Sequence, residues 1–335
     1  MNKKLIALAV AAAVAAPMSV QAKPQVKWFG FAQMTMEKRD QDTPNDGLKF
    51  GGDRIRIGFK LKDGNVFGKL QIDFNKTDSG PSGVAIPQII KDAEVGYKFS
   101  NAAKVKLGIF KTPIGMDFNT SGKKLDITKR GMEKKLVLER TTGIMLSGRK
   151  IGGGFGYDIF YGDPSGRSSA VNQGVRGTDN TTAIRVMYDM GKMLHVEAST
   201  GTSEYANGVD YDVTDVAVRY KSGPLTVKAE YITGSNVLHV QGRDETVWFL
   251  HGGYMLNKTT ELVARYYSGK RDDTNTKLSN LFLGVNLFLG STKTDGRLQI
   301  NYVVTGGDDA GSSTPYNGLA GYRDNALLVQ YQMSF

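Results

Sequence analysis

From residue 25 onward, segments with apolar residues at every second position recur along the chain. Residues 53–74, DRIRIGFKLKDGNVFGKLQIDF, show the pattern clearly. Ile55, Ile57, Phe59 and Leu61 are interleaved with Arg54, Arg56, Lys60 and Lys62. After Asp63-Gly64-Asn65 the alternation resumes, with Lys69, Gln71 and Asp73 between apolar residues. A period of two is the side-chain repeat of a strand, and a short polar join containing Gly is hairpin chemistry. The stretch therefore predicts a hairpin with one apolar face and one basic face.

The same reading predicts about sixteen strands, at 25–38, 51–62, 66–76, 88–99, 103–111, 143–149, 152–162, 181–190, 192–204, 211–221, 224–236, 245–256, 259–270, 278–289, 295–305 and 324–335. No long helical stripe of apolar residues follows residue 22. The connections alternate in character. Asp63-Gly64-Asn65, Ser100-Asn101-Ala102, Met190-Gly191-Lys192, Ser222-Gly223-Pro224 and Leu256-Asn257-Lys258 are short turns. Between them fall longer polar segments near 39–50, 77–87, 112–142, 163–180, 237–244, 271–277 and 306–323, with a brief one at 205–210. Short turns at one end and long loops at the other describe an up-and-down meander.

Alternation alone fits a soluble β-sandwich as well as a barrel in lipid. Three features favour the barrel. The first 22 residues read as a cleaved export signal: Lys3 and Lys4, an apolar run from Leu5 to Ala16, then Val20-Gln21-Ala22. Aromatics such as Tyr97, Phe99, Tyr188, Tyr220, Tyr254 and Tyr302 fall on apolar faces, as interfacial girdles require. The last strand, 325–335, alternates strictly and ends on Phe335. That ending resembles outer-membrane barrel proteins, in which a final Phe is part of the signal read by the insertion machinery. The expected fold is an all-β transmembrane antiparallel barrel, residues 23–335 forming one domain, with short periplasmic turns and longer extracellular loops.

Charge then changes the picture. The chain carries 43 basic and 33 acidic residues and no cysteine. Loss of Lys3 and Lys4 with the signal would leave 41 against 33, a net charge of +8. In a barrel the polar phase of each strand faces inward. Basic candidates there are Arg54, Arg56, Lys60, Lys62, Lys69, Lys98, Lys104, Lys106, Arg149, Arg185, Arg219, Lys221, Lys228, Arg265 and Arg297. Acidic candidates are Asp73, Asp92, Glu94, Asp158, Glu197, Asp215, Glu230 and Glu261. So many charges cannot fill a dry interior, so the lumen is expected to be an aqueous channel. Two phases stay ambiguous: the first strand has aromatics on both faces (Trp28 against Phe29 and Phe31), and His251 could point either way.

The candidate constriction is 112–142, TPIGMDFNTSGKKLDITKRGMEKKLVLERTT, with seven basic residues against four acidic. Connections of this length are uncommon unless functional or disordered. Its cations, with the neighbouring Lys111, are Lys123, Lys124, Lys129, Arg130, Lys134, Lys135 and Arg140, and Arg54, Arg56, Lys60, Lys69, Lys104, Lys106 and Arg149 stand on nearby strands. Their chemistry suits anion attraction; an exposed, solvated outer loop is the alternative. Gly152 to Gly156 has no helix after it, so it reads as a turn, and His195, His239 and His251 lack ligand spacing. No cofactor, metal or nucleic-acid partner is expected. A barrel enzyme, such as a lipase or protease, and a soluble secreted binder of polyanions remain as other readings.

Gly108-Ile109-Phe110-Lys111-Thr112-Pro113-Ile114-Gly115, followed by Leu138-Glu139-Arg140 and then Gly148-Arg149, resembles the phosphate-selective porins O and P. The resemblance is local to about residues 104–150. It implies a homotrimeric outer-membrane porin with loop three tucked inside the pore, passing small anions, phosphate among them, or other small hydrophilic solutes. It also implies contact with outer-membrane lipid and lipopolysaccharide.

Overall fold

The computed structural model describes residues 24–40, 47–75, 89–164, 179–205, 208–311 and 319–335. The export signal lies outside the described residues, as do the whole of the 77–87 connection, parts of three other long loops and residues 206–207. Sixteen strands follow in order: β1 (Gln25–Arg39), β2 (Lys49–Asp63), β3 (Val66–Asp73), β4 (Ile90–Lys98), β5 (Lys104–Lys111), β6 (Arg140–Ile151), β7 (Phe155–Gly162) and β8 (Thr181–Met190), then β9 (Leu194–Ser203), β10 (Tyr211–Ser222), β11 (Leu225–Ser235), β12 (Glu245–Met255), β13 (Thr260–Arg271), β14 (Thr276–Phe288), β15 (Gly296–Gly306) and β16 (Ala326–Ser334). Each pairs antiparallel with its chain neighbours, and β1 pairs with β16, which closes the barrel. Closure satisfies every strand edge, the condition for exposing a sheet to hydrocarbon.

The seam is finished by the last residue. Gly30 N–H donates to Phe335 O at 3.2 Å, and Phe335 N–H donates back to Gly30 O at 3.1 Å. The Phe335 ring fills the space that a Cβ on Gly30 would need. Alternation then sorts the side chains. Ile55 and Ile57 are exposed on the outer wall while Arg54 and Arg56 are partly covered within. Trp28 is 59% exposed outside and Phe31 is 4% exposed inside, which settles the phase of β1. Phe99, Tyr220 and Tyr254 are exposed near the short-turn end, and Tyr302 lies in mid-strand.

The main departure from expectation is inside. β6 begins at Arg140, because Thr141 and Thr142 extend its ladder with Phe110 and Ile109. The long loop is therefore 112–139, and it folds into the lumen. Its base is zipped by Thr112 N–H to Glu139 O (3.0 Å) and Thr112 Oγ1 to Leu138 O (2.7 Å). One helical turn, Met116–Asn119, follows, with the Asn119 amide donating to the carbonyls of Thr112, Ile114 and Gly115. The chain then crosses to the far wall. Ile114, Phe118, Ile127, Met132, Leu136, Val137 and Leu138 bury themselves against inward-facing Val213, Ile232, Val247, Phe249, Val263, Tyr267, Leu278, Phe282 and Val303. The lumen is thus not wet throughout. Along β10–β15 it is a packed core.

Charges inside that core are held by partners. The fully buried Arg265 guanidinium lies 3.4 Å from Asp117 and 3.0 Å from Asp126, and donates to Tyr267 Oη at 2.8 Å. Lys228 reaches Asp126 at 2.5 Å. Glu230 accepts from the Asp117 backbone N–H at 2.8 Å. His251, ambiguous in the sequence, is buried on the inner face. Replacing Arg265 with Met leaves Asp117 without its cation and weakens the hold on Asp126, a loss of roughly 3–5 kcal/mol for breaking a buried pair. The expected result is trypsin cleavage within 123–135 of folded protein in detergent, where the wild type resists.

Glu133 and Asp117 are both buried in this loop, and neither carboxylate has a hydrogen-bond partner. Burial, then the charge of Asp117, pushes the Glu133 carboxyl up to about 7, from 4.5. The folded protein therefore keeps a proton that the unfolded chain releases. This contribution to stability is complete below about 4.5 and is lost as pH rises to about 7. Glu133→Gln should flatten that part of the melting-temperature profile and raise the melting temperature at pH 8; an unchanged slope would refute the assignment.

Candidate functional site: a basic half-lumen

What the loop leaves open is a cavity of about 700 Å³ between it and β1–β8. The basic residues on its lining are Lys27, Arg56, Lys60, Lys69, Lys104, Lys106, Lys111, Lys123, Lys124, Arg140, Arg149 and Arg185. The acidic ones are Asp92, Glu94 and Asp158. The β2–β3 hairpin supplies Arg56, Lys60 and Lys69 from its inward phase. Strand β5 supplies Lys104, Lys106 and Lys111, and β6 supplies Arg140 and Arg149. Loop residues Asn119, Ser121, Gly122, Lys123 and Lys124 form the opposing wall.

Two populations of cation result. The first is locked into pairs: Arg56 with Asp73 (2.9 Å), Lys69 and Arg140 with Asp92, Lys106 with Glu94 (2.7 Å), and Arg149 and Arg185 with Asp158 (2.8 and 2.6 Å). The second comprises Lys27, Lys60, Lys104, Lys123 and Lys124, with no carboxylate in ion-pair range among the described residues. The pairing keeps the wall from being uniformly repulsive, although Asp92 and Asp158 each hold two cations and so leave positive charge there too; these five lysines add theirs with no carboxylate at hand. Around Lys123 the interaction is electrostatic, through space. Burial lowers its pKa, Asp295 opposes this, and Lys124, Lys60 and Lys27 lower it further. These four ammonium groups therefore feel one another across the gap between β1–β2 and the loop.

Other expected site residues lie elsewhere. Arg54 donates to Gln33 Oε1 at 2.7 Å and packs its stem on Gly122, behind the loop. Lys129 pairs with Glu37 at 2.6 Å. Arg130 donates to the carbonyls of Asp117 and Thr120. Lys134 and Lys135 sit on the turn Met132–Lys135, Lys135 beside Arg243, Glu245, Arg271 and Arg323. Lys111 lines the cavity, but its ammonium ties the loop by donating to Phe118 O and Thr120 O. None of these five positions off the cavity presents its charge to the open half. Among the histidines, His195 bridges Asp189 and Glu197 at 2.8 Å each, and His239 stacks on Tyr205.

Sequence reasoning missed Lys27 and the aromatic residues Phe29, Phe31 and Phe110 on the same lining. Lys27 shares the inward phase of Gln33, Thr35 and Glu37, so counting back along β1 would have found it.

The sequence matches the family model described as Gram-negative porin over residues 7–309. A search of curated proteins finds no match. Among solved structures, the barrel is similar to an anion-selective porin from Comamonas acidovorans (TM-score 0.68, 15% identity, 93% of this chain and 100% of that one). It is similar also to OmpF of Salmonella typhi, solved with daunomycin (TM-score 0.69, 14% identity, 94% and 100%). A third similar structure is OmpT, an outer membrane protein of Vibrio cholerae, in its trimer form (TM-score 0.65, 14% identity, 94% and 100%). At these identities the structures testify to the fold alone. With a family match across most of its length and a closed sixteen-strand barrel narrowed by an internal loop, this chain belongs to the Gram-negative porin family.

Proposed function

We propose that this outer-membrane porin is a diffusion channel with a preference for small anions, phosphate among them. The observation that carries the reading is the convergence of unpaired Lys27, Lys60, Lys123 and Lys124 where the loop narrows the lumen. A wide pore would screen such charge within about 8 Å at physiological salt. Here the loop brings any passing ion within that distance of several ammonium groups. The anion selectivity named for the Comamonas relative agrees with this reading. We extend it to a homotrimer, as the trimer form of the Vibrio OmpT suggests, whose outer walls meet lipid and lipopolysaccharide after the 1–22 signal is cleaved.

Reversal potentials in planar bilayers under asymmetric KCl test this, with added phosphate probing for block of chloride current. Anion selectivity is expected at 0.1 M salt, fading towards 1 M as the screening length falls from about 10 Å to about 3 Å. One ammonium ~6 Å from an ion in water-like dielectric favours an anion and opposes a cation by ~0.7 kcal/mol each, so each Lys→Gln change at 60, 123 or 124 should reduce the anion-to-cation permeability ratio by up to about tenfold. Lys134→Gln, off the cavity, should leave the ratio unchanged. A cation-selective wild type would overturn the proposal.

A further inference from the structure

The wall beneath the free lysines is partly aromatic. Phe29 faces the lumen directly across from Gly58 of β2. Its ring edge approaches within 2.8 Å of the place a Gly58 Cβ would take. The glycine lets the ring lie down against the wall instead of standing off it. Phe67 on β3 repeats the arrangement over Gly96 of β4, with Lys104 at 4.0 Å from the ring centroid. A ring on the wall of a water-filled pore loses favourable burial, and chloride or phosphate gains nothing from it.

The placement of the cations separates capped rings from open ones. Lys106 sits 3.7 Å from the centroid of Phe110, which is 2% exposed. Lys60 and Lys69 stand 5.9 and 6.0 Å from the centroid of Phe29, at the outer limit of a cation–π contact. Phe29 is only half-buried, and it lines the cavity. Lys27, two residues along the same inward phase, is paired in register with Lys60. One open ring and two free ammonium groups therefore share a short stretch of wall.

We propose that this stretch is a subsite for small aromatic carboxylates. The carboxylate engages Lys27 and Lys60, and the aromatic body stacks on Phe29. The inference rests on the anion-preferring reading and narrows its substrate class. Stacking of this kind is worth about threefold to tenfold in affinity.

The test is block of chloride current in the intact channel by benzoate, acetate and cyclohexanecarboxylate, beside the KCl reversal potential. Benzoate is expected to give half-block at a concentration at least about threefold below that of either other acid. Phe29→Ala should abolish that difference and Phe29→Trp should preserve it. Gly58→Val, which displaces the ring without removing it, should weaken block by benzoate more than block by acetate. If the channel is anion-selective but benzoate blocks no better than acetate or cyclohexanecarboxylate, the subsite is refuted and the anion reading stands. A cation-selective channel removes the anion reading itself. Benzoate preference that survives Phe29→Ala also overturns the assignment.

Discussion

Inside the barrel the Arg265 guanidinium lies between the carboxylates of Asp117 and Asp126, with the Phe249 ring 4.5 Å from its carbon and Tyr267 alongside. A charge taken so far from water is stable only with its partners in place. Two of those partners belong to the loop and the rest to the wall, so loop and wall are held as a unit. Because Arg265 stands on β13, the part of the loop that carries Asp117 and Asp126 is drawn to the β10–β15 side. The apolar side chains of the loop then find an apolar inner wall, and half of the lumen becomes core. Had the loop rested on β2–β5, its apolar residues would have met lysines, and the basic wall would have been covered.

That asymmetry decides which charges matter. Asp73, Asp92, Glu94 and Asp158 each hold wall cations at hydrogen-bonding distance, so a large share of the basic residues counted along the strands contributes little net field. The cations with no carboxylate at hand are Lys27, Lys60 and Lys104 on one side and Lys123 and Lys124 on the other. On the proposed anion-preferring reading, an ion crossing between them feels both sides. The ratio of basic to acidic residues in the whole lumen is therefore a poor guide to selectivity, and the pairing pattern at the narrow place is a better one.

The strands were legible because period two is enforced on every segment by the pleat, whatever the inner face meets. The division of the lumen was harder to see, although a trace of it stands in the sequence. Apart from Phe67, the hairpin 53–74 alternates apolar and polar, since one face lies on the outer wall and the other on the open half of the lumen. In β12, Val247-Trp248-Phe249-Leu250 is apolar without interruption, because both faces meet apolar surroundings. Reading that unbroken run as a sign of a packed inner face would have foretold the core. The fates of Arg54, Lys129 and Arg130 were not legible at all. They depend on Gln33, Glu37 and the carbonyls of Asp117 and Thr120, contacts that exist only once the loop has crossed the barrel.

The way the loop crosses has a consequence for its side chains. Gly122 O accepts from Gln33 (3.1 Å), Lys123 O from Gln332 (3.2 Å), Leu125 O from Arg297 (2.9 Å) and Asp126 O from Asn286 (2.9 Å). Thr128 N–H donates to Asn301 Oδ1 at 2.9 Å. Residues 122–128 of the loop are thus positioned largely through their backbone, by amide and guanidinium groups that the wall presents. A backbone contact does not depend on the identity of the residue that makes it. Lys123 and Lys124 are therefore relieved of a structural duty, and their side chains can be set by what passes through the pore. Arg265 is not relieved in this way, since its own side chain is the fastening. Position and charge are separable at the tip of the loop and inseparable at its anchor.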